Sequence, residues 1–190
     1  MKVKVGVSNR HVHLTPEALE VLYGKGYELT VKKPLTQRNQ FAANETVIIK
    51  TPKNQIENVR ILGPLRDYNQ IEISRTDAYK LDINPPVRNS GDLEGSSPIT
   101  IIGPKGVLDL KEGCIIAARH LHISTSDLAK YNLKENQSLS IKTIGPKGAT
   151  LDNVYVKSYA NFSLEVHLDT DDANACLIKQ GDEVELIINE

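Results

Sequence analysis

Apolar residues in this chain fall in short runs that alternate with polar ones, the period of strands with one buried face. Lys2–Val7 alternates Lys and Val and reads as a first strand. Further strands are expected at Tyr27–Val31, Thr46–Lys50, Ile56–Leu62 and Gln70–Ser74. A second set follows at Ile99–Ile102, Val107–Leu110, Cys114–Ala118, Leu139–Thr143, Asn153–Tyr159, Leu164–Leu168 and Glu183–Ile188. Helices are short and carry their own start signals. Thr15 as N-cap and Pro16 at the first helical position open one, Ala18, Leu19 and Leu22 give it an apolar side, and Gly24 ends it. Ser124-Thr125-Ser126-Asp127 opens another, and a third is expected from Thr170 to Leu177. Gly-Pro-Lys-Gly at 103–106 recurs at 145–148; both are hairpin chemistry and too short for a nucleotide-binding fingerprint. Many short strands with brief helices predict a mainly β protein built as two barrels or sandwiches. The segment Ser90–Pro98 is the best linker, which divides the chain into domains 1–97 and 98–190.

The two halves carry the same words. Ser8-Asn9-Arg10-His11-Val12-His13-Leu14 returns as Ala118-Arg119-His120-Leu121-His122-Ile123, each leaving an apolar, β-branched run. Residues two apart on a strand share a face, so each His-x-His can aim both imidazoles at one point. Glu57-Asn58-Val59 matches Asp152-Asn153-Val154, an offset of ninety-five residues. Holding that offset sets Gln70-Ile71-Glu72-Ile73-Ser74 on Glu165-Val166-His167-Leu168-Asp169, so Glu72 takes the place of His167. Each half then offers three ligand-type residues: His11, His13 and Glu72 in one, His120, His122 and His167 in the other. All five histidines of the chain are used. Imidazole-rich sets suit zinc, and three protein ligands leave a coordination position open, as catalytic zinc sites do. A His pair just ahead of a helix start also brings unpaired backbone N–H groups close by, which favour anions.

At 190 residues and a net charge of −1, the chain is an ordinary acidic-to-neutral protein, with no case for bulk nucleic-acid binding. It holds no run near the roughly 20 apolar residues that span a membrane, so no membrane partner is expected. The start reads as a strand rather than a signal peptide. Two cysteines, Cys114 and Cys176, make no disulfide framework, which fits a reducing cytoplasm. Charge is divided unevenly: residues 1–97 carry 14 Lys+Arg against 11 Asp+Glu, and residues 98–190 carry 9 against 13. Arg10, Arg38, Arg60, Arg66, Arg75 and Arg88 lie in the first half and only Arg119 in the second. Guanidinium groups favour bidentate phosphate contacts, which makes the first half the better holder of a phosphorylated ligand. The basic segment Lys32–Gln40, without a counterpart of equal length in the second copy, reads as a functional loop.

Several long motifs in order resemble the zinc-dependent phosphotransacylases of the propanediol-utilisation type, the phosphate propanoyltransferases. They are Ser8–His13, Gly63-Pro64-Leu65-Arg66, Gln70–Arg75, Pro85-Pro86-Val87-Arg88-Asn89-Ser90-Gly91, Arg119–His122 and His167–Ala175. The resemblance implies two related β-barrels with short capping helices, two zinc ions at their interface, and acyl transfer between coenzyme A and phosphate. It assigns His11, His13 and Glu72 to the zinc that approaches the coenzyme A sulfur, and His120, His122 and His167 to the second zinc. It makes Arg66 the catalytic, phosphate-contacting residue. Coenzyme A contacts fall on Ser8, Lys33, Arg60, Leu62 and Asn174.

Acyl transfer from a thioester to phosphate needs a polarised carbonyl, a stabilised thiolate and an offset to the repulsion between two anions. Metals can meet the first two needs and an arginine the third. A di-metal hydrolase and a metal-binding structural protein without activity are the competing readings, and a cysteine acyl carrier is a weaker one. The Arg-rich half speaks against the plain hydrolase, and the open coordination positions against the scaffold. Seven residues before Ser8 leave no room for a microcompartment-targeting extension, so the resemblance favours a free cytoplasmic enzyme acting on a short acyl group such as acetyl or propanoyl. A homo-oligomer stays open.

Overall fold

The strand pairing of the computed structural model, described for residues 1–188, closes two rings of six strands and leaves four short helices outside them. In chain order the elements are β1 (Lys2–Ser8), β2 (His11–His13), α1 (Pro16–Tyr23), β3 (Val31–Pro34), β4 (Phe41–Lys50), β5 (Gln55–Gly63), β6 (Gln70–Glu72), α2 (Arg75–Leu81) and β7 (Val87–Arg88). There follow β8 (Ser97–Ile102), β9 (Val107–Ala117), β10 (His120–Ser124), α3 (Thr125–Lys130), β11 (Ser138–Lys142), β12 (Thr150–Tyr159), β13 (Glu165–Asp169), α4 (Thr170–Cys176) and β14 (Glu183–Ile187).

One barrel runs β4-β5-β2-β6-β9-β8 and closes where Ile48 pairs with Ile102, with β3 added along β4 and β7 along β9. The other closes as β1-β13-β10-β12-β11-β14. The two are the same ring. β2 pairs β5 in parallel and β6 antiparallel, as β10 pairs β12 and β13. β9 lies parallel to β6 in one ring, and β1 lies parallel to β13 in the other. The mainly β, duplicated architecture read from the sequence is therefore the one observed.

The division at 97/98 is corrected by this pairing. One compact unit is Arg10–Ala117; the other joins Met1–Asn9 to the chain from Ala118 on. The strand that leads into each His pair is exchanged: β1 runs into β2 yet pairs in the ring of β10, while β9 runs into β10 yet pairs in the ring of β2. β8, placed on the far side of the expected linker, seals the first ring against β4. Each unit buries its own core. Val12, Leu19, Val59, Ile61, Ile71 and Ile101 lie in one, Val5, Leu121, Leu139, Val156, Val166 and Leu186 in the other.

Three local expectations shift. The strand expected at Tyr27–Val31 begins only at Val31, because the preceding residues wrap a buried carboxylate. Glu45 accepts hydrogen bonds from the Tyr27 hydroxyl, the Thr30 amide and the Thr30 hydroxyl. The basic segment at 32–40 accordingly starts as edge strand β3 rather than as loop. Helix α2 was missed, although its capping box is plain in sequence: the Ser74 hydroxyl accepts from the Asp77 amide, and the Asp77 carboxylate faces the Ser74 amide.

Candidate active site

Strand alternation fixes the face of each His pair. Val12 and Leu121 point into the two cores with no exposure, so the flanking histidines lie on the opposite faces of β2 and β10. In the first unit His11 pairs across to Glu72 and His13 to Gln70. In the second, His120 pairs to His167 and His122 to Glu165. The register thus gives Glu72 and His167 equivalent places, the equivalence drawn from the ninety-five-residue offset.

Within each unit the three ligand-type side chains converge. The Nε2 atoms of His11 and His13 lie 3.4 and 3.9 Å from the Glu72 carboxylate oxygens. The rings of His120 and His122 are 4.7 Å apart, and those of His122 and His167 are 4.3 Å apart. In each triad one donor atom per residue lies within 4.8 Å of the others, so each could hold a metal ion. Two observations fit that role. The Nδ1 of His13 is buried without a hydrogen-bond partner among the described residues, an atom open to a ligand. Burial, then the charges of His11 and Arg66, hold His13 well below the ordinary imidazole value against the pull of Glu72. The ring is therefore neutral at pH 7, the state that ligates metals. His120 is oriented through its Nδ1, 2.8 Å from the Ala118 carbonyl.

The arginine before each pair proves to be a clasp. Arg10 donates through Nε to Asp77 at 2.9 Å, and its Nη2 lies 2.8 Å from the same oxygen. Arg119 grips Asp172 through Nε and Nη2 at 2.8 and 2.7 Å. Asp77 and Asp172 are again ninety-five residues apart, each in the first turn of the helix after the third ligand. Arg10 therefore ties its His pair to the element that follows Glu72, and Arg119 does so for His167. Arg60 donates to the carbonyls of Ala43 and Asn44, Arg75 to the Asn84 side chain, and Arg88 sits by Asp92.

Arg66 differs in its company. Its backbone amide donates to the Leu14 carbonyl, directly after His13, which pins it beside the first triad. Its guanidinium donates to the Tyr68 and Ser90 hydroxyls at 2.8 and 3.1 Å and lies 5.5 Å from the Tyr68 ring centre. These partners are neutral and leave its positive charge for an anion. Gly63, at the head of Gly-Pro-Leu-Arg, is required by packing: a Cβ there would sit 2.2 Å from the Phe41 ring.

The residues expected at coenzyme A divide between the units. Lys33 lies exposed on β3, and Arg60 and Leu62 are half-buried on β5, Arg60 opposite His11. Ser8 ends β1 opposite Asp169, the N-cap of α4, and Asn174 lies exposed in that helix.

Several site neighbours went unnoticed in the sequence. Gln70 donates to Glu72 and to Ser90, the hydroxyl that Arg66 also reaches, so a chain of hydrogen bonds joins the arginine to the triad. Phe162 stacks on His122 at 4.2 Å. Glu165 contacts His167 at 2.8 Å. The ninety-five-residue offset already aligned Gln70 with Glu165; their roles needed the register.

The profile of the phosphate propanoyltransferase family matches residues 4–179. Curated relatives carry that same name. One from Thermotoga maritima is 51% identical over 184 residues, 96% of this chain and 88% of its own length. Others from Lachnoclostridium phytofermentans and Priestia megaterium are each 49% identical, over 97% and 95% of this chain and 87% and 83% of their own lengths. Among the described residues no helix is long and apolar enough to cross a membrane.

Proposed function

Because the chain belongs to the phosphate propanoyltransferase family and is a phosphate acyltransferase, we propose that it interconverts a short-chain acyl-coenzyme A plus phosphate with acyl phosphate plus coenzyme A by direct transfer, each triad holding a zinc ion. The acyl group is acetyl or propanoyl. What carries the reading is the pair of register-equivalent triads with Arg66 pinned beside one of them. Bound there, the two ions would supply Lewis-acid polarisation of the carbonyl and stabilisation of the departing thiolate.

The chain's own residues do the rest. Arg66, held by two neutral hydroxyls, orients the phosphate and offsets its repulsion from the anionic cofactor. A phosphate oxygen attacks the thioester carbon, the C–S bond breaks, and coenzyme A leaves as thiolate. The Arg10 and Arg119 clasps keep both His pairs in register with their third ligands. Ser8, Lys33, Arg60, Leu62 and Asn174 are proposed to hold coenzyme A. The deciding assay follows coenzyme A release from acetyl- and propanoyl-coenzyme A with and without phosphate, with metal analysis of the same sample. Release should require phosphate and yield acyl phosphate; release at the same rate in its absence would mark a hydrolase.

No cysteine takes part in this scheme. Cys114 is fully buried opposite Ile71, and burial pushes its thiol up to about 12. A raised thiol value means that the neutral form persists through the ordinary thiol range and is displaced only as pH climbs toward about 12. At pH 8 iodoacetamide should leave Cys114 unmodified in folded protein. The double variant Cys114→Ala, Cys176→Ala should keep most of its turnover. A labelled acyl group trapped on either sulfur would overturn direct transfer.

A further inference from the structure

Two buried residues stand in matching places behind the two triads. Gln70 pairs across to His13 and Glu165 to His122, and both are almost wholly enclosed. Each touches the third member of its triad. The Gln70 amide donates to Glu72 at 2.6 Å, and the Glu165 carboxylate lies 2.8 Å from the His167 Nε2. One triad thus has its carboxylate among the three converging groups, backed by a neutral amide. The other has three imidazoles, backed by a carboxylate. Each arrangement holds one acidic side chain, moved outward by one position from the first unit to the second.

We propose that Glu165 is the positioning residue of the second triad, orienting His167 and fixing which ring nitrogen carries its proton. In doing so it supplies the negative charge that Glu72 gives the first triad directly. A carboxylate behind a ligating imidazole does this by accepting the ring N–H, which raises the basicity of the other nitrogen. The neighbouring strand carries an independent mark of this pair. Gly6 on β1 pairs with His167, and a Cβ there would stand 3.0 Å from the Glu165 carboxylate and 3.2 Å from the His167 ring. Ile115 holds the equivalent place on β9, opposite Glu72. A branched side chain is accommodated opposite Glu72, whereas a side chain at Gly6 would press on both members of the Glu165–His167 pair. Glycine at position 6 thus leaves that pair its room.

This inference rests on the metal-binding reading, and its test separates the two. Metal-free protein is titrated with Co2+ alone, read by its visible absorption bands and by competition with a chelator, for the parent, Glu165→Ala, Glu165→Gln and Gly6→Ala. The parent should bind two equivalents; a parent that binds none removes the metal reading itself. Glu165→Ala should weaken one equivalent about 10–100-fold and alter its absorption, with the other unchanged. Glu165→Gln, which still offers an acceptor to the ring, should regain part of that loss. Gly6→Ala should weaken the same equivalent, and it keeps the test alive should Glu165→Ala fold poorly. Two equivalents bound by Glu165→Ala with parental affinity and spectrum would overturn the proposal, as would a Gln variant no better than Ala.

Discussion

Glu72→Ala and His122→Ala should each sharply lower turnover while removing one metal equivalent, and not the same one. The two residues belong to separate compact units, Glu72 with His11 and His13, His122 with His120 and His167. Each variant should therefore bind one ion where the parent binds two, and the double variant none. Lewis-acid assistance is worth several kcal/mol, and about 1.4 kcal/mol is tenfold in rate, so a loss of at least roughly a hundredfold is expected from either change. Folding should survive. Both His pairs sit on the strand faces opposite the cores, whose packing is carried by Val12, Ile61 and Ile71 in one unit and Leu121, Val156 and Val166 in the other. Circular dichroism and melting temperature should stay close to the parent's. Chelation of the parent should reproduce the loss and Zn2+ should restore it. Active protein with no bound metal would sink the dinuclear site.

These six residues could be found without coordinates because the duplication places the same chemistry twice. A lone Glu72 among 24 acidic residues carries no signal; aligned on His167 it becomes a third ligand-type residue. The register of β6 and β13 against the His strands then gives the two the same partner, the first histidine of each pair. Strand existence was legible for a similar reason, since alternation such as that of Lys2–Val7 has one physical cause. Strand membership was not. Nothing in the pattern of β1 tells whether it pairs beside β2 or beside β13, because both would bury Val3 and Val5 equally well. The exchange of β1 and β9 is a long-range choice, and chain order hides it.

The arginines show the same limit from the other side. Their crowding in the first half marked a phosphate holder, but a guanidinium is defined by its partners. Arg10 and Arg119 are spent on buried or half-buried aspartates, a use that the offset between Asp77 and Asp172 encodes but that composition cannot reveal. Helix α2 was missed because Glu72 to Leu81 reads as a strand end followed by polar residues. Its start is set by the Ser74–Asp77 box, and Asp77 is the same residue that Arg10 clasps. Cap and clasp are one device, repeated at Asp172 below the Asp169 cap.

Arg66 should be the residue whose loss separates phosphate use from metal binding. Its amide is fixed to the Leu14 carbonyl, one residue past His13, while its guanidinium rests on the Tyr68 and Ser90 hydroxyls. Hydroxyls orient the group without neutralising it, so a phosphate dianion would meet a full positive charge already aimed. Removing one partner of a buried charged contact typically costs about 2–5 kcal/mol, and about 1.4 kcal/mol is tenfold. Arg66→Ala should therefore raise the phosphate requirement or lower turnover by roughly two orders of magnitude or more. Arg66→Lys should recover only part, because an ammonium lacks the two-pronged geometry. Metal content should stay near the parent's, although Ser90 and Gln70 link Arg66 to Glu72. Ser90→Ala tests that link: it frees the guanidinium without removing it, so its effect on phosphate use should fall between those of the parent and Arg66→Ala. Should Arg66→Ala strip the metal, the arginine supports Glu72 through that chain of hydrogen bonds. Should phosphate kinetics stay unchanged, the clamp is another arginine of the same unit, Arg88 or Arg75, and the neutral hydroxyls around Arg66 serve only to fold the loop that carries it.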